Sequence, residues 1–217
     1  MRRTDIQRDS RPASHELFTN PEEKASLEAR NGLLQFDEVL SLIDQAKAAG
    51  FRLRPSTIQR LQRRAVQDIY TCAGNYRTGP VFIKGTTHQP PPAHEVAEHT
   101  EELCEYVNSN WGHNALHLSA YVMWRLNWIH PFSGGNGRTS RSISYLVMCA
   151  RLGYRIPGTS TITEQIVANR QPYYEALDAA DAAWTNAIID VSAMERLLEH
   201  ALAVQLSSVL EAAGSSD

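Results

Sequence analysis

Residues 114–128 constrain the fold of this chain more than any other segment. Leu116, Leu118, Ala120, Val122, Met123, Trp124 and Leu126 lie around most of a helical circumference there. A surface helix shows an apolar stripe, whereas one that is apolar almost all round belongs in the middle of a bundle. A second strongly apolar helix is predicted from Gly137 to about Leu152, with Gly153 as its cap and Pro157 beyond. Two such helices need partners on every side, and 217 residues suffice for one core of that kind. Asn20-Pro21-Glu22-Glu23 starts a helix, with Asn20 as N-cap, and Asn31-Gly32 reads as its end. Further helices are predicted over about 36–49, 55–73, 93–109, 163–168, 171–181 and 185–211. Ile188, Val191, Leu198 and Leu202 assign the last one to the core, with a homodimer face as the other use of those residues.

Residues 74–93 break the helical pattern. Gly74, Gly79, Pro80, Gly85 and Pro90-Pro91-Pro92 exclude a long helix, and Val81-Phe82-Ile83 between them reads as a small β-hairpin or flap. The fold class is therefore all-α, a bundle with one hairpin. Residues 1–20 are polar and read as a disordered or frayed arm, leaving 21–217 as a single domain. Hydrophobic residues make up 42% and charged residues 21%, and the net charge of -3 argues against a general nucleic-acid binder. Three separated cysteines, Cys72, Cys104 and Cys149, point to a reducing compartment without a disulfide framework. The longest apolar run, Tyr145 to Ala150, is too short to span a bilayer, and the basic N-terminus lacks the apolar stretch of a secretory signal.

The two apolar helices are joined by His130-Pro131-Phe132-Ser133-Gly134-Gly135-Asn136-Gly137-Arg138-Thr139-Ser140-Arg141. Asn136 is a good N-cap, and the helix after it begins with unpaired N–H groups. Glycines let an anion approach the backbone, and the helix end adds roughly half a positive charge. Arg138 and Arg141, three residues apart, share a face beside that end. Cations there oppose the helix dipole unless an anion binds, so the loop reads as a phosphate cradle. His130 at the other lip titrates near neutral pH and can take a proton from an attacking hydroxyl. Two histidine pairs are set aside as metal sites: His94 and His99 are one position off a shared helix face, and His113 with His117 has no third ligand nearby.

These residues resemble the Fic motif, HPFx(D/E)GNGRxxR, departing from it at the acidic position, which is Gly134. The likeness extends over roughly 20–185: Gly74-Asn75-Tyr76-Arg77 with the following apolar run and prolines is similar to the family's flap region, and Tyr173-Tyr174-Glu175-Ala176-Leu177 to its YYxxL element. The resemblance implies the AMP-transferring branch of the family, a protein adenylyltransferase. ATP is the co-substrate, and the other partner is a protein with an accessible Ser, Thr or Tyr hydroxyl; neither nucleic acid nor a membrane is implied. His130 is then the general base. Gly135, Asn136 and Gly137 hold the α-phosphate, and Arg138 and Arg141 hold the outer phosphates. Tyr174, Leu177 and Asp181 approach the adenosine, and Phe82, Ile83 and Lys84 form the flap that docks the target. Gly137 favours AMP transfer, because the kinase-like branch carries Lys there.

Two departures bear on activity. Relatives hold magnesium with the acid that Gly134 replaces, so no protein metal ligand is expected and magnesium would ride on the phosphates. Residues 21–32, with Ser26, Arg30 and Asn31, resemble the inhibitory motif (S/T)xxxE(G/N), but Arg30 stands where the inhibitory Glu would be. Arg30 is expected either to repel Arg141 or to add a phosphate contact, and Glu28, two positions away, to point elsewhere. Two alternatives stand beside AMP transfer: an AMP-removing hydrolase, and a catalytically weak nucleotide- or protein-binding module. A cytoplasmic location, or delivery into another cell as an effector, fits the same reading.

Overall fold

The computed structural model describes residues 16–17 and 20–214, so the arm predicted over 1–20 lies almost wholly outside the described residues. Eight α-helices are present among the described residues: α1 (Pro21–Ala49), α2 (Pro55–Val66), α3 (Val96–Ser109), α4 (Ala115–Ile129), α5 (Asn136–Leu152), α6 (Ile162–Ala168), α7 (Gln171–Trp184) and α8 (Ser192–Gly214). The two strongly apolar helices, α4 and α5, pack along each other at the centre. α1 and α2 cover α5, while α3, α7 and α8 surround α4. Trp124, Leu118, Met123 and Leu126 of α4 are buried, as are Ile143, Leu146, Val147 and Met148 of α5. Each large apolar side chain so buried contributes about 1.5–3 kcal/mol.

Three boundaries differ from expectation. α1 continues through Asn31-Gly32 without a break. A mid-helix glycine costs about 1 kcal/mol, but Asn31 is buried and its Nδ2 donates to the Gln67 carbonyl at 2.6 Å. Gln35, Val39 and Ile43 on the same face are buried as well, so packing overrides the stop signal. α2 ends at Val66 rather than near 73, and Asp68 turns the chain at φ 63°. α8 starts at Ser192, whose N–H is capped by Asp190 Oδ1 at 3.0 Å, not at 185. Val191 and Leu198 are core residues, while Ile188 lies exposed in the turn before the helix.

The predicted hairpin is absent among the described residues. Residues 74–92 run as irregular chain with a lone bridge residue at Ile83 and a turn at Lys84-Gly85. Four prolines in this stretch remove the donors that a ladder needs. Its backbone is tied elsewhere: the N–H of Arg77 donates to the Pro131 carbonyl at 2.9 Å, which lays the segment along the loop between α4 and α5.

Candidate active site

His130 caps α4 in the left-handed conformation, φ 49° and ψ 58°, while its N–H still closes the helix onto Leu126. A non-glycine residue there costs roughly 1–2 kcal/mol and needs support. Arg77 supplies it. Its guanidinium is buried and donates to the His130 carbonyl (Nε, 2.8 Å), Ile129 (Nη2, 3.3 Å), Pro91 (Nη2, 2.5 Å) and Gly79 (Nη1, 3.1 Å). A cation thus closes the negative end of α4 and pins the 74–92 segment to it.

The imidazole is held in one tautomer. Nδ1 lies 3.3 Å from the Asn127 carbonyl, which can only accept, so Nδ1 carries the hydrogen and Nε2 keeps its lone pair. Nε2 is buried and makes no hydrogen bond among the described residues. Burial pushes the imidazole from 6.5 down to about 3; the Asn127 contact opposes the shift, and Arg77 and His88 add to it. At neutral pH His130 is an unprotonated base with a free acceptor.

The loop after it is built from the inside. Phe132 is buried in the core and anchors the turn. Asn136 is not the N-cap expected from sequence. Gly135, at φ 77°, takes that place, and a Cβ there would meet Val66 Cγ1 at 2.6 Å. Asn136 instead clamps Phe132 from both sides, accepting its N–H (3.0 Å) and donating to its carbonyl (2.8 Å). The side chain therefore fixes the loop, and what faces the cavity for an anion is the first turn of N–H groups of α5. Gln62, buried on α2, donates to the Gly134 carbonyl (3.0 Å) and accepts from the Gly74 N–H (2.6 Å).

His130, the 134–138 backbone, Arg138 and Arg141 line one cavity of about 960 Å³, together with Ile83, Tyr174, Leu177 and Asp181. Arg138 donates to the Ala65 carbonyl (3.1 Å) and pairs with Glu28 (2.9 Å). Arg141 has no carboxylate partner among the described residues, and its buried Nε makes no hydrogen bond. Burial lowers its pKa, opposed by Tyr173, with Arg170 and Arg138 reinforcing the shift. A half-buried guanidinium without an anion is costly, so this is where an anionic ligand gains most. Behind it, Asn127 donates to Tyr173 Oη (2.8 Å) and Ser140 Oγ (2.9 Å), tying α4, α5 and α7 together.

Several expected site residues lie elsewhere. Ser26 and Arg30 are exposed and do not line the cavity, and Asn31 is spent on Gln67. Two residues along a helix is a rotation of about 200°, so with Glu28 facing Arg138, Arg30 faces away from Arg141. It is thus Glu28, expected to point elsewhere, that reaches the site. Phe82 is exposed and Lys84 sits in a surface turn, so of the three flap residues Ile83 alone lines the cavity. Asp181 lines it too, but its Oδ1 accepts from Trp124 Nε1 (2.8 Å) and its Oδ2 faces His88 Nδ1 at 3.7 Å. Lys24, Tyr70, Glu28, His88 and Arg170, which the sequence reading did not select, also line the cavity. Arg77 and Gln62, equally unselected, hold it together. For Gln62 the available signal was a polar residue on the buried face of an amphipathic helix; Arg77 lies in the irregular stretch, where no such pattern exists.

A Cβ added at Gly134 would lie 2.9 Å from Tyr70 Cε2 and Cζ. The tyrosine ring fills the space of the motif acid, and the cavity's nearby carboxylate, Glu28, is held by Arg138. No group of three or more His, Cys, Asp or Glu among the described residues is arranged for a metal. The residues at the motif position do not fit a protein-held magnesium ion.

The fold is an all-helical bundle with His130 and the N-terminus of α5 on one cavity. The chain matches the Fic/DOC family over residues 52–148. It is 29% identical over 133 residues to the protein adenylyltransferase Fic of Drosophila persimilis, a match covering 59% of this chain and 25% of that protein. The chain thus spans about a quarter of the length of the curated relatives it matches. Among solved structures, Fic-1 of C. elegans (residues 134–508) superposes with a TM-score of 0.68 at 21% identity, covering 86% of this chain and 52% of that one. A Fic-domain-containing signaling protein of Bacteroides thetaiotaomicron also gives 0.68 at 21% identity, covering 88% and 73%. At those identities the likeness is one of fold. No helix of the described residues is long and apolar enough to cross a membrane.

Proposed function

We propose that the protein is an adenylyltransferase that moves AMP from ATP to a hydroxyl side chain of a target protein. The observation that carries this reading is His130: a buried, neutral imidazole whose Nε2 acceptor lacks a partner, on the same cavity as the N-terminus of α5 and the unpaired Arg141. The target hydroxyl gives its proton to Nε2 as its oxygen attacks the α-phosphorus. The α5 N–H groups around Gly135 and Gly137 receive the developing charge. Pyrophosphate leaves along Arg138 and Arg141. Tyr174 and Leu177 carry the adenosine, and Ile83 with the exposed Phe82 meets the target segment. The Drosophila relatives named as adenylyltransferases support the same reaction class.

Incubation with ATP labelled on the α-phosphate and a cell lysate tests the reading. Label on a protein band, lost in His130→Ala, is the expected result; ATP binding with no label on any protein refutes transfer. Tyr70 in the place of the motif acid favours a second reading, nucleotide binding with slow or no turnover, which that second outcome would support.

A further inference from the structure

The cavity does not end at the arginines. Along α5 its lining runs from Gly137 through Arg141 to Tyr145, and along α1 from Glu28 through Leu33 to Phe36. Eight residues of helix span about 12 Å. The two lines run side by side: Arg138 meets Glu28 at 2.9 Å, Ser142 meets Gln35 at 2.9 Å, and the Phe36 and Tyr145 rings lie 6.4 Å apart. On the third wall the lining passes from Asp181 through Tyr174 and Arg170 to Val167 of α6. One end of this trough is His130, the middle is cationic, and the far end is apolar.

The far end is built for a ligand group rather than for the core. Leu33 is 70% exposed, Phe36 44% and Val167 42%, yet all three line the same cavity as the phosphate cradle. α1, α6 and α7 lie outside the span that matches the family, while Tyr145 of α5 lies within it. Beyond Arg141 and Arg170 the lining holds no further Lys or Arg and includes Glu164. A free terminal phosphate adds about 1.5 to 2 negative charges, and no cation awaits it there. Across the whole cavity, Lys24, Arg138, Arg141 and Arg170 face the carboxylates of Glu28, Glu164 and Asp181.

We infer that the site accepts as donor a nucleoside diphosphate esterified on its terminal phosphate with an apolar or aromatic group, which lies between Leu33, Phe36, Tyr145 and Val167. The inference rests on the nucleotidyl-transfer reading of the site. The diphosphate lies on Arg141 and the α5 N-terminus, and the tail covers side chains that are otherwise left to water. The target oxygen bonds to the α-phosphorus, and the bond from that phosphorus to the bridging oxygen breaks. The proton passes to His130, and the tail leaves as its phosphate monoester.

Competitive displacement of a fluorescent ADP analogue by ADP and by the β-benzyl ester of ADP tests this. The ester is expected to bind about tenfold more tightly than ADP, which corresponds to about 1.4 kcal/mol. In Leu33→Ser/Phe36→Ser, both surface-exposed positions, that advantage disappears while ADP binds as before. An ester that binds no tighter than ADP overturns the inference and leaves the nucleotide reading standing. An equal loss of ADP binding in the double variant also overturns it, because the base rather than a tail would then occupy the compartment. If neither compound binds, the nucleotide reading itself fails.

Discussion

Replacing Glu28 with Gln frees Arg138 and removes a negative charge from the cavity. Both partners of the pair are partly exposed, 27% for Arg138 and 37% for Glu28, with an N–O distance of 2.9 Å. Two unit charges 4 Å apart interact by about 1 kcal/mol in water and about 4 kcal/mol at a protein surface. Half-exposed pairs measured by double-mutant cycles fall near the lower end, about 0–1 kcal/mol. An incoming phosphate must break that pair and also sit beside the carboxylate it displaces. Removing both penalties is expected to improve ATP binding by about 1–2 kcal/mol, or about 5- to 30-fold in Kd. Isothermal calorimetry at about 0.1 M and about 1 M salt reads it. The screening length falls from about 10 Å to about 3 Å across that range, so most of the gain should vanish at the higher salt. The thermal midpoint should barely move, since a partly exposed pair contributes about 1 kcal/mol or less. An unchanged or weaker ATP affinity at low salt, with a normal melting curve, would refute the reasoning.

Three further outcomes follow from the same geometry. His130 has its folded pKa depressed to about 3 from 6.5, so the unfolded chain binds the extra proton between those values. Its contribution is fully present above about pH 6.5 and is lost by about 1.4 kcal/mol per pH unit below it; urea unfolding of wild type and His130→Gln at pH 5 and 7.5 should diverge accordingly, and parallel behaviour would count against a buried neutral imidazole. Arg77→Lys cannot reach the four carbonyls that Arg77 contacts and should destabilise by about 2–4 kcal/mol, with activity falling beyond the stability loss because the left-handed turn at His130 relaxes; circular-dichroism melts and labelling rates check both. Gly134→Asp alone should gain nothing, as its Cβ meets the Tyr70 ring, whereas Gly134→Asp/Tyr70→Ala should acquire magnesium-dependent ATP affinity; magnesium dependence in the single variant would show that the ring moves aside freely.

The all-helical class was legible from residues 114–128 and 137–152, because a segment apolar all round has no stable place except the centre of a bundle. The junction at 130–141 was legible for a similar reason: helix ends expose N–H groups, and the glycines and arginines placed there make sense beside an anion. Local signals misled where packing outweighed them. Asn31-Gly32 looked like a stop, but the chain continues because Asn31 reaches Gln67 from a buried face. Asn136 looked like a cap, but its amide is more useful holding both polar groups of Phe132. Sequence spacing could not say which turn of α1 faces α5, so the choice between Glu28 and Arg30 as neighbour of the arginines was made only in three dimensions. The same holds for Tyr70, which fills the side-chain space at Gly134 from a distant turn. Periodicity along a chain fixes what each helix must bury, but the rotation of one helix against another is a property of the assembled core, and that rotation decided which charges the cavity received.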